Sequence, residues 1–146
     1  MKKYYKISLP ILTAIIAIFF AGCAKDLTNT VYNGPDLVEF ANPIAKTITT
    51  TTTAKLDSAV IQLVGAQRST STSIAYSVNP SSTAVAGTDY TIVNASPVAI
   101  TPNTSNVVVR FSFNKVAATK TLILDLTGGD AVTPSVNYRT FTFTLK

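Results

Sequence analysis

The chain has 146 residues, 47% hydrophobic and 13% charged, with a formal net charge of +5; that length allows one domain, and the charged fraction is about half the ~25% usual in soluble domains. It has no histidine, which excludes Ser-His-Asp and Cys-His catalysis and histidine-ligated zinc or haem. It has one cysteine, which excludes an internal disulfide and any multi-cysteine metal site.

Residues 1–22 read as a secretory signal peptide. Lys2, Lys3 and Lys6 make a basic start, and Ile7 to Ala21 is apolar apart from Ser8 and Thr13. The apolar stretch is about 15 residues, short of the ~20 of a comfortable spanning helix. A short uncleaved membrane anchor is the competing reading. Phe20-Ala21-Gly22-Cys23 then resembles the lipobox of bacterial lipoproteins. That resemblance implies a diacylglycerol on the Cys23 thiol, cleavage before Cys23 by a peptidase that recognises Phe20, Ala21 and Gly22, and acylation of the new amine. Phe20 stands where the family usually has leucine. Two acyl chains anchor a protein stably, at about 0.8 kcal/mol per buried methylene.

The mature chain would start at Cys23 and have 124 residues. Lys2, Lys3 and Lys6 leave with the signal, so nine basic residues face seven acids and the excess falls to +2. Nucleic acid is therefore not expected as a partner; the membrane is, through the anchor. Ala24, rather than aspartate, follows the cysteine, which resembles an outer-membrane destination. Lys25-Asp26 resembles a thin version of the charged export tag on surface lipoproteins of Bacteroidota-type bacteria, favouring the cell surface over the periplasmic face; a solvated tether is the plainer reading. Residues 23–36 are read as lipidated cysteine and tether, ending in Asn33-Gly34-Pro35.

Residues 37–146 show no 3.6-residue period. They alternate in runs rich in Val, Ile, Thr, Tyr and Phe, which predicts strands. Leu37–Phe40 is the first. Thr47–Thr53 reads as an edge strand, a flexible glycosylated tract being the alternative. Ser58–Gly65 and Thr72–Asn79 follow, then a turn at Asn79-Pro80-Ser81-Ser82. Tyr90–Val93 and Val98–Thr101 are short strands, and Pro102-Asn103 turns the chain. Val107, Val109, Phe111 and Phe113 face one way, with Val108, Arg110 and Ser112 opposite. Leu122, Leu124 and Leu126 oppose Ile123 and Asp125, and Thr127-Gly128-Gly129-Asp130 ends that run. Phe141, Phe143 and Leu145 alternate with threonines. Seven to nine short strands with closely spaced turns predict a single all-β, antiparallel β-sandwich, without βαβ units.

Ser82 to Gly128 resembles the Calx-beta family of Ig-like sandwiches. Thr83-Ala84-Val85-Ala86-Gly87-Thr88-Asp89-Tyr90 is similar to that family's signature loop. A long alternating strand, Ile100 to Phe113, and a Leu-x-Leu-x-Leu strand, Leu122 to Leu126, follow as in the family. Gly87 frees the backbone, Asp89 can close a turn through its carboxylate, and Tyr90 offers a large face to the core with a polar tip. Some members bind calcium through acids after the long strand. Here Asn114 to Lys120 carries two lysines and no acid, and a calcium shell needs six to eight oxygens. The resemblance thus implies the fold with its calcium site lost, and no cofactor or metal is expected. The frame as a whole also resembles small Bacteroidota lipoproteins, many of which belong to glycan-uptake loci.

Three classes of function compete. A glycosidase needs two carboxylates across a cleft, and no pair among Asp26, Asp36, Glu39, Asp57, Asp89, Asp125 and Asp130 is spaced suggestively, so no catalytic residue is assigned. A glycan-binding module would use exposed aromatics, for which Tyr32 and Tyr138 are the candidates. An interaction or scaffold module with a protein partner fits the low charge and the hydroxyl-rich outward positions best. Asp57-Ser58-Ala59 resembles the O-glycosylation site of exported Bacteroidota proteins, making Ser58 the acceptor; a turn at the start of a strand is the other reading.

Overall fold

A computed structural model describes residues 34–146; the lipobox residues, Cys23 and Tyr32 lie outside them. Ten strands are formed: β1 (Leu37–Phe40), β2 (Ala45–Ile48), β3 (Lys55–Val64), β4 (Thr72–Val78), β5 (Tyr90–Ile92), β6 (Val98–Ile100), β7 (Asn106–Phe113), β8 (Lys120–Gly128), β9 (Thr133–Pro134) and β10 (Thr140–Leu145). They make two five-stranded sheets, in the orders β5-β7-β3-β1-β9 and β2-β10-β8-β4-β6. The described residues contain no helix, and the all-β sandwich is the architecture the alternation called for.

The alternation is physical. On β10, Phe141, Phe143 and Leu145 are buried while the intervening threonines are half-exposed. On β7, Val109, Phe111 and Phe113 are buried and Arg110 is exposed. Successive side chains on a strand point to opposite faces, so each run supplies one wall of the core. The two walls meet through phenylalanines. Phe143 of one sheet lies 4.9 Å from Phe113 and 5.4 Å from Phe111 of the other, with Phe141 4.7 Å away on its own strand. Phe40 closes the chain of rings against Phe141 at 5.4 Å. Each such ring stabilises the fold by roughly 1.5–3 kcal/mol on burial.

The first strand is divided between the sheets. β1 pairs with β3, and after residues 41–44 the chain joins the other sheet as β2. Lys46 of β2 shares the inward register of Ile48 and reaches Asp57 of β3, 3.1 Å away, and the Ser58 carbonyl, 2.6 Å away. This ion pair ties the two sheets at their margin.

The structure corrects several expectations. The strand in the threonine tract is Ala45–Ile48, an edge strand as expected, and Thr49–Thr53 lie beyond it. Thr50 turns away because its N–H and hydroxyl both donate to the Lys146 carbonyl, at 2.6 and 2.8 Å. β3 begins at Lys55, three residues before Ser58, because β7 reaches far enough to pair Lys55 with Phe113. Ser58 is therefore inside a strand, not in a turn before one. Among the described residues the strands number ten, since β9 adds two residues that carry no alternation. The pairing is not wholly antiparallel: β1–β9 and β2–β10 are parallel, both at sheet edges. Just ahead of β1, Asp36 is held by Arg68, whose guanidinium meets its carboxylate at 2.8 Å.

Candidate functional sites: a loop carboxylate and a polar cleft

The signature loop is built around Asp89. Gly87 adopts φ +79°, a conformation that costs glycine nothing, and its N–H donates to the Tyr90 carbonyl. The Val85 N–H donates to Asp89 Oδ2 at 2.7 Å, so the carboxylate closes the turn as expected. The same oxygen accepts from Lys120 Nζ at 2.7 Å. The Asp89 side chain is only 4% exposed, and Lys120, from the start of β8, covers it. The Lys120 hydrogen bond holds the Asp89 carboxyl below its usual range, against the upward push of burial, with the Val85 N–H assisting. Asn114, after β7, clamps the loop from the other side by donating to the Thr88 and Asp89 carbonyls. Tyr90 is buried with its ring edge-on to Phe111, and burial raises its phenol pKa. The Asp89 carboxylate is thus neutralised by an ammonium, and among the described residues no three His, Cys, Asp or Glu side chains gather as metal ligands.

A cleft of about 310 Å³ opens on the second sheet, lined by Asn79, Asp125, Leu126, Arg139 and Thr140. Strand pairing assembles it. β8 places Asp125 beside Ser77 of β4 and Thr140 of β10. Asn79 Nδ2 donates to Asp125 Oδ2 at 2.5 Å, and the Thr140 hydroxyl donates to Oδ1 at 2.8 Å. The Asn79 amide is itself held, its Oδ1 accepting from the Ser81 N–H. Arg139 is exposed. The cleft thus presents an oriented carboxylate and a guanidinium, with balanced charge. A second hollow, about 180 Å³, is lined by Leu56, Asp57, Ser58 and Arg110 on the other sheet. Asp57, half of the proposed modification motif, is engaged by Lys46 and also accepts from the Ser58 N–H.

Of the aromatic candidates, Tyr138 is 42% exposed, next in sequence to Arg139 of the cleft, and its carbonyl accepts from the Phe40 N–H. Tyr76 is buried and donates its hydroxyl to the Asn94 carbonyl; burial pushes its pKa up to about 12. The structure brings Gly87, Asp89 and Tyr90 together in one loop, and leaves Tyr138 and Ser58 apart from it. Sequence reasoning missed Asn79, Arg139 and Thr140, and missed Lys120 as the partner of Asp89. The Asn79–Asp125 and Lys120–Asp89 contacts join residues 46 and 31 positions apart, which no local signal marks.

No family model and no curated protein matches the chain. Solved structures do. The apo-form Calx CBD1 domain superposes with a TM-score of 0.60 at 17% identity, over 77% of this chain and 96% of that one. The CBD12 structure of CALX1.2 gives 0.58 at 18% identity, and the calcium-binding domain CBD12 of CALX1.1 gives 0.58 at 18%; each match covers 75% of this chain. In those two, the match spans 43% and 44% of the longer chain. At such identities the likeness is one of architecture: residues 34–146 form a Calx-beta-like β-sandwich.

Proposed function

We propose that the chain is a lipid-anchored, non-catalytic interaction module at the outer membrane, held there through Cys23 and exposed to the cell surface. The observation that carries the non-catalytic reading is the composition of the two hollows. Each holds one carboxylate, Asp125 or Asp57, and each carboxylate is already a hydrogen-bond acceptor for its neighbours. Glycoside hydrolysis needs a second carboxyl group opposite the first. The mode of interaction is face-on rather than by strand addition. The four sheet-edge strands β5, β9, β2 and β6 are two to four residues long, too short to template a partner strand. Calcium is not part of this reading, because Asp89, the carboxylate of the signature loop, is already paired with the Lys120 ammonium.

A second reading, a carbohydrate-binding accessory lipoprotein of a glycan-uptake system, is favoured by the balanced cleft. Asp125 can accept from sugar hydroxyls and Arg139 can donate to them, with Tyr138 adjacent in sequence. The test is one experiment with two readouts. A photo-crosslinking residue at position 139, in the full-length chain in its own membranes, should capture a discrete protein if the module docks a partner. A glycan-array screen of the purified chain should give binding that Asp125→Asn or Tyr138→Ala abolishes if it captures sugars. Hydrolysis of any glycan on the array would overturn the non-catalytic reading.

A further inference from the structure

The charges of the sandwich are unevenly placed. At the end where β3 starts, β7 finishes and β10 runs out, three exposed lysines stand close together: Lys55, Lys115 and Lys146. The backbone gathers them. Lys55 pairs with Phe113, two residues before Lys115. Thr50 joins the other two, accepting from the Val116 N–H at 3.2 Å while donating to the Lys146 carbonyl. The acids near them are spent, Asp89 on Lys120 and Asp57 on Lys46. None of the three ammonium groups has a partner among the described residues. Between them lie the exposed hydroxyls of Thr51, Thr52, Thr53 and Thr119.

We propose that this end of the sandwich docks an acidic polysaccharide, a chain carrying carboxylates at repeat distances. Three hydrated point charges on separate flexible stems lack the rigid fork that would select one small anion. They line neither hollow, so what they offer is multivalent attraction over a surface. The threonine hydroxyls suit a ligand that is itself hydroxylated. A nucleic acid would want aromatic platforms, and the rings nearest this end, Phe113 and Phe143, are buried. A membrane surface would want apolar side chains among the cations. Leu56 is 67% exposed, but it alternates to the opposite face from Lys55. The surface does not use the Asp125 cleft, and the two stand or fall separately.

The test is binding of labelled polygalacturonate to the full-length chain in neutral detergent, by fluorescence anisotropy. Three ion contacts should make affinity fall roughly 20–40-fold between 50 and 200 mM salt, taking the slopes of nucleic acids as the guide. Lys55→Gln/Lys115→Gln/Lys146→Gln should lose at least about tenfold at 50 mM salt and most of that salt dependence. Its thermal midpoint should stay within about 2 °C of the parent, because the three side chains are exposed. Arg110→Gln, on the outer face of β7, should bind like the parent. The proposal is overturned by absent binding at 50 mM salt, by binding that the triple variant retains, or by equal lysine-dependent retention on phosphatidylglycerol vesicles.

Discussion

Replacing Lys120 with methionine tests whether the ammonium is what makes the loop carboxylate tolerable. In the parent, Asp89 is 4% exposed and Lys120 30%, with 2.7 Å between Nζ and Oδ2. Methionine keeps the stem and deletes the charge, leaving a near-buried carboxylate with the Val85 N–H on the same oxygen. Losing a hydrogen bond to a charged group costs about 1.5–3 kcal/mol. For a domain of this size that is roughly 6–12 °C in thermal midpoint at pH 7. The pH dependence supplies the sharper check. The folded pKa of Asp89 lies below its ordinary 3.8, so its stabilising increment is fully present above that value. It is lost as pH falls through the depressed folded pKa. In Lys120→Met, burial acts without the opposing ammonium, and Asp89 protonates earlier on acidification. The stability gap between the two proteins should therefore narrow below about pH 4. Adding Asp89→Asn to Lys120→Met should restore part of the loss at pH 7, because it removes the uncompensated charge. Urea melts at pH 7 and pH 3 measure all of this. A Lys120→Met protein as stable as the parent at pH 7, or one with an undiminished deficit at pH 3, would refute the reasoning.

Other outcomes follow from the same contacts. Millimolar calcium should leave the thermal midpoint of the parent unchanged, whereas a site with a dissociation constant a hundredfold below the added calcium would stabilise it by about 2.7 kcal/mol. Phe143→Ala should cost about 3–5 kcal/mol, read from denaturant midpoints, since Phe143 touches Phe111, Phe113 and Phe141 in the core. Gly87→Ala should cost about 1–2 kcal/mol from φ +79° alone, since an added Cβ there meets nothing within 4 Å; a neutral result would mean the loop relaxes. Cys23→Ala should abolish incorporation of labelled palmitate and shift the chain from the membrane to the soluble fraction; retention with the membrane would contradict lipid anchoring.

What was legible in the chain was whatever a single strand writes into its own alternation. Phe111 and Phe113, or Phe141 and Phe143, announce a half-buried strand because every second side chain meets the same core. Asp89 was legible as a turn-closing carboxylate because its partner, Val85, is four residues away. Boundaries in uniform sequence were not. Threonine is as good a strand former at position 51 as at 47, and a hydrogen bond to Lys146, 96 residues on, decides where the strand stops. β9 was invisible because two residues, one of them Pro134, carry no period. The cleft was invisible for another reason. Asn79 follows β4, Asp125 sits within β8 and Thr140 starts β10, and only the strand order β10-β8-β4 makes them neighbours.

The same topology decides where interaction surfaces can lie. The interior is filled by five phenylalanines and the aliphatic residues around them. The margins are closed as well: Lys46–Asp57 bridges the sheets on one side, and the edge strands are too short to accept another strand. Recognition is left to the outer faces and the two ends. One end pins the start of the described chain, where Arg68 donates to Asp36 and to the carbonyls of Asp130 and Ala131. Arg68 and Asp36 are thereby occupied with each other. The other end holds Lys55, Lys115 and Lys146 unpaired, since Lys120 has consumed the nearby carboxylate Asp89. The ammonium that neutralises Asp89 thus also leaves that end with an excess of positive charge. Lys120→Met therefore tests both at once: it should perturb stability through Asp89 and, by leaving that carboxylate uncompensated near Lys55, Lys115 and Lys146, weaken the attraction of that end for anions.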